Sequence, residues 1–206
     1  AARVTTRLRG AKLPEQTQGG LRWAVPGLQL DGRWDAQGHP PLQLELLDEP
    51  GALRWSCLLP RARVELRHGA AGLCATGYAE RVTLKVPPWK LPIDELHWGR
   101  AHAGPHTVVW IDWRGPSKVR RIFVDGQAVE GKVSAEEVVT SGLHLRLEPR
   151  RTLREGDVSK TAFSRIPMVS GLLSRHKLKL TETKWLSVAR AGREQGWAIH
   201  EVVRWG

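Results

Sequence analysis

The chain has 206 residues, of which 41% are hydrophobic, and this is enough to bury one sizeable core or a split barrel. Its formal charge is +11 at pH 7, but the basic residues are scattered singly, and no helix-turn-helix, zinc-finger or RNA-recognition signature accompanies them. The composition predicts a single domain over residues 1–206, with residues 1–20 as a flexible or edge segment. We expect no nucleic-acid partner and a basic surface suited to lipid headgroups.

The sequence has no long apolar run and no basic-then-apolar leader. We therefore expect neither a membrane span nor a signal peptide, and a cytoplasmic protein with peripheral membrane association. Cys57 and Cys74 are too few for a disulfide framework or a zinc site. Both lie on strand-like segments, where a buried free thiol is the usual outcome.

Strand signals fill the chain in order from "LRWAVPGLQLDG" to "GWAIHEVVRW", separated by Gly, Pro and Asp turns at hairpin spacing. The Pro-rich "LKVPPWKLPIDEL" is a break between two long strands. Further on, "VDGQAVEG" predicts a hairpin turn in which Gly126 accepts a positive φ. One short helix is expected after Ser134, because "SAEE" can form a capping box, and it should end by Gly142.

The closing segments "LTETKWLSV" and "WAIHEVVRW" are separated by "ARAGREQG", whose two glycines suit a hairpin loop. We therefore expect the last two strands to pair with each other. The complete pattern predicts an all-β protein, an antiparallel lipocalin-like barrel or a strongly curved sheet of eight or more strands, with short connecting helices.

The stretch "GYAERVTLKV", residues 77–86, alternates like a strand. One face carries Tyr78, Glu80, Val82 and Leu84, so the face that looks suited to a core contains a carboxylate. Tyr78 can donate a hydrogen bond into the same small volume. Glu80 and Tyr78 are the candidate catalytic residues, and a structural or hydrated Glu80 is the alternative.

Other strands also combine charged and large apolar side chains on one face. Burying a lone ion costs several kcal/mol, so these charges should neutralise one another or line a cavity. The ten Trp residues form a core by default, but indoles on strands also suit a cavity for a flat or polyene-like ligand. The candidate ligand-binding residues are Trp98, Arg100, Trp110, Asp112, Glu182, Trp185, Trp197 and Glu201. For the charged members, structural ion pairing or solvent exposure is the alternative.

Cofactor chemistry has no support in the sequence. His97, His102 and His106 lie close together but at no recognised ligand spacing. A Gly-rich phosphate loop, a nucleophile elbow and a Cys–His signature are all missing. We expect no metal and no organic cofactor.

The order of "LRWSCLLPRARVEL", "GYAERVTL", "WGR", "VVWIDWRG" and "ETKW…GWAIHEVVRW" resembles the lipocalin-like carotenoid hydratases (hydroxyneurosporene synthases) over residues 21–205. Related tandem-lipocalin folds include pericyclases. In the hydratases a Gly-Tyr-x-Asp stretch supplies the acid that protonates an alkene, and the resemblance places its Tyr and Asp on Tyr78 and Glu80. This chain departs from the pattern by having Glu for Asp and by lacking the family's neighbouring His and Asn.

Two functions remain open. The first is a cofactor-independent hydratase, isomerase or cyclase (a lyase or an isomerase) acting on an apolar isoprenoid or polyene, with Glu80 as general acid in an apolar pocket. The second is a lipocalin-like binding protein or carrier for an apolar ligand. An enzyme should place Glu80 against apolar rings, whereas a carrier should neutralise it with Arg100 or Lys184.

Overall fold

In the computed structural model 73% of the described residues lie in β-strands. The structure describes residues 13–49, 51–86, 90–157 and 180–206. Two compact units are distinguished: unit 1 comprises Ala1–Glu45 and Arg54–Thr83, and unit 2 comprises Leu46–Leu53 and Leu84–Gly206. The single domain over residues 1–206 stays a prediction.

Unit 1 is built on a curled, half-barrel sheet of six strands. The strands are β1 (Glu15–Thr17), β2 (Gly20–Val25), β3 (Leu30–Ala36), β4 (Leu42–Glu45), β5 (Leu53–His68) and β6 (Ala71–Leu84). Their order is β1-β2-β3-β5-β4, with β6 also paired to β5. A 3-10 turn at Pro26–Leu28 joins β2 to β3.

One face of this sheet carries the core of unit 1. Leu21 on β2 pairs with Trp34 on β3, and Trp34 pairs with Val64 on β5, so these side chains share a face. A Cβ on Gly77 of β6 would lie 2.5 Å from Val64 Cγ2, and Ala79 packs against the same core cluster. The absent side chain of Gly77 thus lets β6 approach β5.

The face assignment made for residues 77–86 is therefore wrong in part. The small residues Gly77 and Ala79 lie toward the core, whereas Val82, on the face expected to be buried, is 56% exposed. The cause is the close approach of Val64, which only a small side chain at position 77 permits.

Unit 2 contains a nearly closed, antiparallel nine-stranded barrel. Its strands are β7 (Glu95–Ala103), β8 (His106–Arg114), β9 (Val119–Val124), β10 (Gln127–Val129), β11 (Gly131–Val133), β12 (Glu137–Thr140), β13 (His144–Asp157), β14 (Leu180–Ala191) and β15 (Glu194–Trp205). The order is β10-β9-β8-β7-β15-β14-β13-β12-β11. The expectation of an all-β barrel or curved sheet of eight or more strands is confirmed.

Two hairpins in unit 2 match the sequence prediction. The turn between β9 and β10 places Asp125 at φ 53° and Gly126 at φ 82°, as a type I′ turn requires. Strands β14 and β15 pair along their full lengths, from Leu180 with Trp205 to Ala191 with Glu194. Strand β15 also pairs with β7 on its other side.

The interior of the barrel is filled by small and branched apolar side chains. They come from β7–β9 and β11–β15 and form one buried cluster. Its largest side chain is that of Trp110. The indole packs directly against Gly99, since a Cβ added to Gly99 would lie 2.3 Å from the ring. The cluster consists of Ala101, Ala103, Val108, Trp110, Ile122, Val133, Val138, Leu145, Leu147, Ala189, Ala191 and Ala198.

Two local predictions are wrong. Ser134 Oγ accepts the backbone N–H groups of Glu136 and Glu137, as a helix cap would, but the chain continues as β12, because pairing with β13 satisfies its backbone. Cys57 is a buried free thiol as expected, whereas Cys74 is exposed, since both faces of the first part of β6 are exposed. Within the described ranges, no helix has the length and apolarity needed to cross a membrane.

Candidate functional site

Unit 1 contains a cavity of about 770 Å³. Strands β2 and β3 contribute the apolar side chains of Leu21, Trp23 and Trp34 to its wall, and β6 contributes Tyr78 and Glu80. The full lining is Leu13, Pro14, Gln16, Leu21, Trp23, Trp34, Leu58, Tyr78, Ala79, Glu80 and Arg81. This volume and mostly apolar lining suit a small organic ligand.

Glu80 is held by a neighbouring strand. Its Oε2 accepts a hydrogen bond of 3.0 Å from the indole Nε1 of Trp55 on β5. Trp55 is 1% exposed, so its ring is fixed by packing, while Glu80 is half-buried. Because an indole N–H can only donate, this contact assigns an accepting role to Oε2. The two predicted catalytic residues, Tyr78 and Glu80, thus lie on the wall of one cavity.

The eight predicted ligand-binding residues lie in unit 2, on two faces of the barrel wall. Trp110, Asp112 and Trp185 share the interior face, because the strand register aligns them with the buried interior cluster. The opposite face carries Trp98, Arg100, Glu182, Trp197 and Glu201. The structure therefore brings some of these residues together on each face, and their role in ligand binding stays a prediction.

On the opposite face, one lysine joins two carboxylates. Lys184 Nζ lies 2.5 Å from Glu201 Oε2 and 3.4 Å from Glu182 Oε1, and Arg154 Nη1 donates to Glu182 Oε2 at 2.9 Å. Burial raises the pKa of Glu201. Burial alone would also raise the pKa of Glu182, but Arg154 and Lys184 hold it below its usual value. This arrangement agrees with structural ion pairing, the alternative role given for Glu182 and Glu201.

Trp98 lies beside this network. Its ring centroid is 4.6 Å from the guanidinium carbon of Arg100 and 5.8 Å from Lys184 Nζ, and both distances fit cation–π contacts. Arg100 is 4% exposed, so its charge is held within the packed wall. Trp197 is 55% exposed and lies near the start of β15.

At one end of the interior face, acidic and basic groups neutralise one another. Asp112, 2% exposed, accepts from Arg114 Nε at 3.0 Å and Arg120 Nε at 2.8 Å. Glu95 accepts from Arg114 and from Arg204. Burial opposes the effect, but the neighbouring cationic and imidazole groups keep the pKa of Glu95 below its usual value. Asp112 is therefore ion-paired with Arg114 and Arg120, and its ligand-binding role stays a prediction.

The sequence did not point to a buried Ser–His pair inside the barrel. Ser187 Oγ and His200 Nε2 lie 2.8 Å apart, and the two residues are 0% and 2% exposed. The Trp185 ring stacks on His200 at 5.1 Å. Burial lowers the pKa of His200 to about 4. Only the register of β14 against β15 brings these residues together, and single-strand patterns carry no signal for that.

The three histidines considered as ligands make separate contacts. His97 bonds to Glu95, His102 to Thr107 and His106 to Asp125. Across residues 13–49, 51–86, 90–157 and 180–206, no group of three or more His, Cys, Asp or Glu side chains is arranged to hold a metal ion.

Comparison with known proteins supports the fold. The structure of CghA matches with a TM-score of 0.54 and 13% identity over 90% of this chain, and CghA with Sch210972 gives 0.54 and 12% over 90%. This chain spans 64% of the CghA chain in both, less than two thirds. Kievitone hydratase from Nectria haematococca has a TM-score of 0.47 at 13% identity, over 90% of this chain and 65% of that one. No family model and no curated protein matches the sequence.

Proposed function

We propose that this protein is a cofactor-independent hydratase, isomerase or cyclase that acts on an apolar isoprenoid or polyene in the unit 1 cavity, with Glu80 as general acid. The observation that carries the proposal is the Glu80 carboxyl on the wall of an indole-lined cavity, with one oxygen fixed by the buried Trp55. The lipocalin-like fold shared with CghA is compatible with it, although fold alone does not imply function.

The Trp55 contact suggests which Glu80 oxygen carries the proton. Oε2 accepts from the indole, so in the neutral carboxyl the acidic hydrogen belongs on Oε1. Transfer of that hydrogen to one alkene carbon forms a C–H bond, and the other carbon becomes a carbocation. The ring faces of Trp23 and Trp34, which line the same cavity, are suited to stabilise this cation. Water then adds and loses a proton, or a neighbouring C–H proton leaves, and Glu80 is reprotonated.

A binding protein for an apolar ligand is the second candidate function, and the size of the cavity favours it equally. The two functions differ in proton transfer. An enzyme exchanges hydrogen between solvent and a carbon atom of the ligand, whereas a carrier holds the ligand unchanged. The competing interpretation that Lys184 neutralises Glu80 loses support, because Lys184 pairs with Glu182 and Glu201.

Deuterium incorporation tests the proposal without knowledge of the natural substrate. The protein is incubated in D₂O with a panel of acyclic isoprenoid alkenes and alkenols, and carbon-bound deuterium is measured by mass spectrometry. We expect incorporation into at least one probe and a loss of about a hundredfold or more in Glu80→Gln, a typical scale for removing a general acid. Retained probe binding in Glu80→Gln shows that the cavity is intact.

Glu65→Gln provides the matched control. Glu65 is also a unit 1 carboxylate, but it is paired with Arg63 and does not line the cavity, so its removal should leave incorporation unchanged. Probe binding without any incorporation by the unsubstituted protein would establish the carrier function instead. Full incorporation by Glu80→Gln would remove Glu80 from the mechanism.

A further inference from the structure

Two chain reversals lie side by side at one end of unit 1. The turn Pro26–Gln29 follows β2, and the tip of the β5–β6 hairpin is formed by Gly69 and Ala70. The backbone N–H of Gly69 donates to the carbonyl of Gln29 at 3.0 Å. Gln29 and Gly69 both adopt the left-handed conformation, at φ 51° and 58°. The two reversals are therefore joined and present one surface, here called the unit 1 tip.

The unit 1 tip exposes apolar side chains. Leu28 is 42% exposed and Leu73 is 57% exposed. All residues from 70 to 76 are exposed, and five of these seven are Ala, Leu or Cys. Leu73 lies three residues beyond Ala70, so it is within roughly 10 Å of the hairpin tip along the strand. Isolated exposed leucines are ordinary, but here they project from two joined reversals.

The charge near the unit 1 tip is net positive. Residues 24–30 contain no charged side chain, and residues 66–76 contain Arg67 and His68 but no acidic residue. The nearest carboxylate, Asp31, faces Arg67 across β3 and β5 and forms an ion pair with Arg22. Arg67 and His68 are both exposed. Basic residues beside projecting apolar side chains match a bilayer with anionic headgroups, where leucines enter the acyl boundary and cations remain among the phosphates. The formal charge of +11 adds a longer-range attraction.

We propose that the unit 1 tip docks on the surface of a lipid bilayer that contains anionic phospholipid, with Leu28 and Leu73 inserted and Arg67 among the headgroups. The proposal does not depend on the reaction assigned to Glu80. It would, however, put a source of apolar ligand near the cavity, since Trp23 on the strand leading to the turn lines that cavity.

The protein carries its own labelling site for the test. Cys74 is exposed and next to Leu73, while Cys57 is buried, so an environment-sensitive nitrobenzoxadiazole dye should react with Cys74. The labelled chain is mixed with vesicles of phosphatidylcholine alone or with added phosphatidylglycerol. We expect a blue-shifted, brighter emission with the anionic vesicles and a smaller response at high salt, because salt screens the headgroup attraction.

Co-sedimentation of unlabelled protein with the same vesicles gives the affinity. Leu28→Gln/Leu73→Gln should weaken binding by about tenfold or more, since each apolar side chain buried in the bilayer contributes to it. Arg67→Gln should weaken it by about fivefold at low salt. Leu153→Gln is the matched control, because Leu153 is a comparably exposed leucine, 44%, in unit 2; it should change nothing.

Three outcomes would overturn the proposal. The first is no co-sedimentation of the unsubstituted protein. The second is vesicle binding that does not involve the tip: either Leu28→Gln/Leu73→Gln co-sediments as well as the unsubstituted protein, or the dye at Cys74 keeps its emission in water while the protein is bound. The third is self-association without vesicles that the double substitution abolishes, which would assign the unit 1 tip to a second copy of the chain.

Discussion

The indole Nε1 of Trp55 donates a 3.0 Å hydrogen bond to Glu80 Oε2, so a packed ring on β5 orients a carboxyl on β6. Trp55→Phe keeps a six-membered aromatic ring and removes the donor. We expect a loss of stability of about 2 kcal/mol or more, because the cost of the space left by the smaller ring adds to the net value of one hydrogen bond, about 1 kcal/mol. Deuterium incorporation should be slower and probe binding unchanged. Urea unfolding and the D₂O assay measure the two effects.

A double substitution of Trp55 and Glu80 checks that prediction. If Trp55 acts through Glu80, adding Trp55→Phe to Glu80→Gln should slow incorporation little further, because residues that act as a unit are not additive. Equal losses in both backgrounds would show that Trp55 acts only through packing.

Lys184 should be needed for stability, because it neutralises two carboxylates in the barrel wall. Lys184→Met leaves Glu182 with Arg154 alone and Glu201 without its ammonium partner. We expect destabilisation of about 3 kcal/mol at pH 7.5 in urea unfolding. Lys132→Met, on an exposed position of β11, is the control and should lie within about 0.5 kcal/mol of the unsubstituted protein.

The pH dependence of that loss has a definite sign. Burial already raises the pKa of Glu201, and removing Lys184 should raise it further. A carboxyl whose pKa is higher in the folded state costs stability above its unfolded pKa, and the cost disappears below that pKa. The difference between Lys184→Met and the unsubstituted protein should therefore narrow as the pH falls toward about 4. A constant difference would contradict the ion-pair explanation.

His200 should make the protein less stable in mild acid. Burial lowers its pKa from 6.5 to about 4, so the unfolded chain binds a proton more readily than the folded one. Stability should then fall as the pH decreases from about 6.5 to 4, by about 3 kcal/mol in total from this residue. Urea unfolding at several pH values measures it. His200→Gln should flatten that part of the profile, whereas His68→Gln, an exposed site, should not.

Gly99 should tolerate no side chain. A Cβ would lie 2.3 Å from the Trp110 ring and 2.6 Å from His200 Cβ, so Gly99→Ala should destabilise by roughly 1–3 kcal/mol through overpacking. Gly142→Ala is the matched control: nothing lies within 4 Å of its Cβ position and its φ is not in the left-handed region. Thermal unfolding should place the control at or slightly above the unsubstituted protein. Equal melting temperatures for both variants would argue against the close packing.

Turn chemistry and alternation were enough to predict the barrel. The Asp125–Gly126 turn and the β14–β15 hairpin follow from local residues alone, because glycine and aspartate determine where strands reverse. Alternation also predicted that charged and large apolar side chains share faces, as Asp112 and Trp110 do on β8. It could not show which face of a strand meets which partner, and the Gly77 face was therefore misassigned.

The site was predictable only in part for the same reason. Tyr78 and Glu80 line one cavity and their catalytic role stays a prediction, whereas Trp55 and the Ser187–His200 pair were missed. Each depends on contacts between strands, and Trp55 is 25 residues from Glu80. At Ser134 a local signal predicted the wrong element. The Ser134 side chain forms the hydrogen bonds of a helix cap, but pairing with β13 makes the following residues a strand.

The position of β15 between β7 and β14 has a consequence for the protein during its synthesis. Glu95 and Arg204, which face each other across β7 and β15, are 109 positions apart. While a ribosome extends the chain from one to the other, β7–β10 can form a meander whose β7 edge has unpaired backbone groups. Nascent chains stalled before β15 should therefore be the aggregation-prone and chaperone-bound species, and release of residues up to Trp205 should end that exposure.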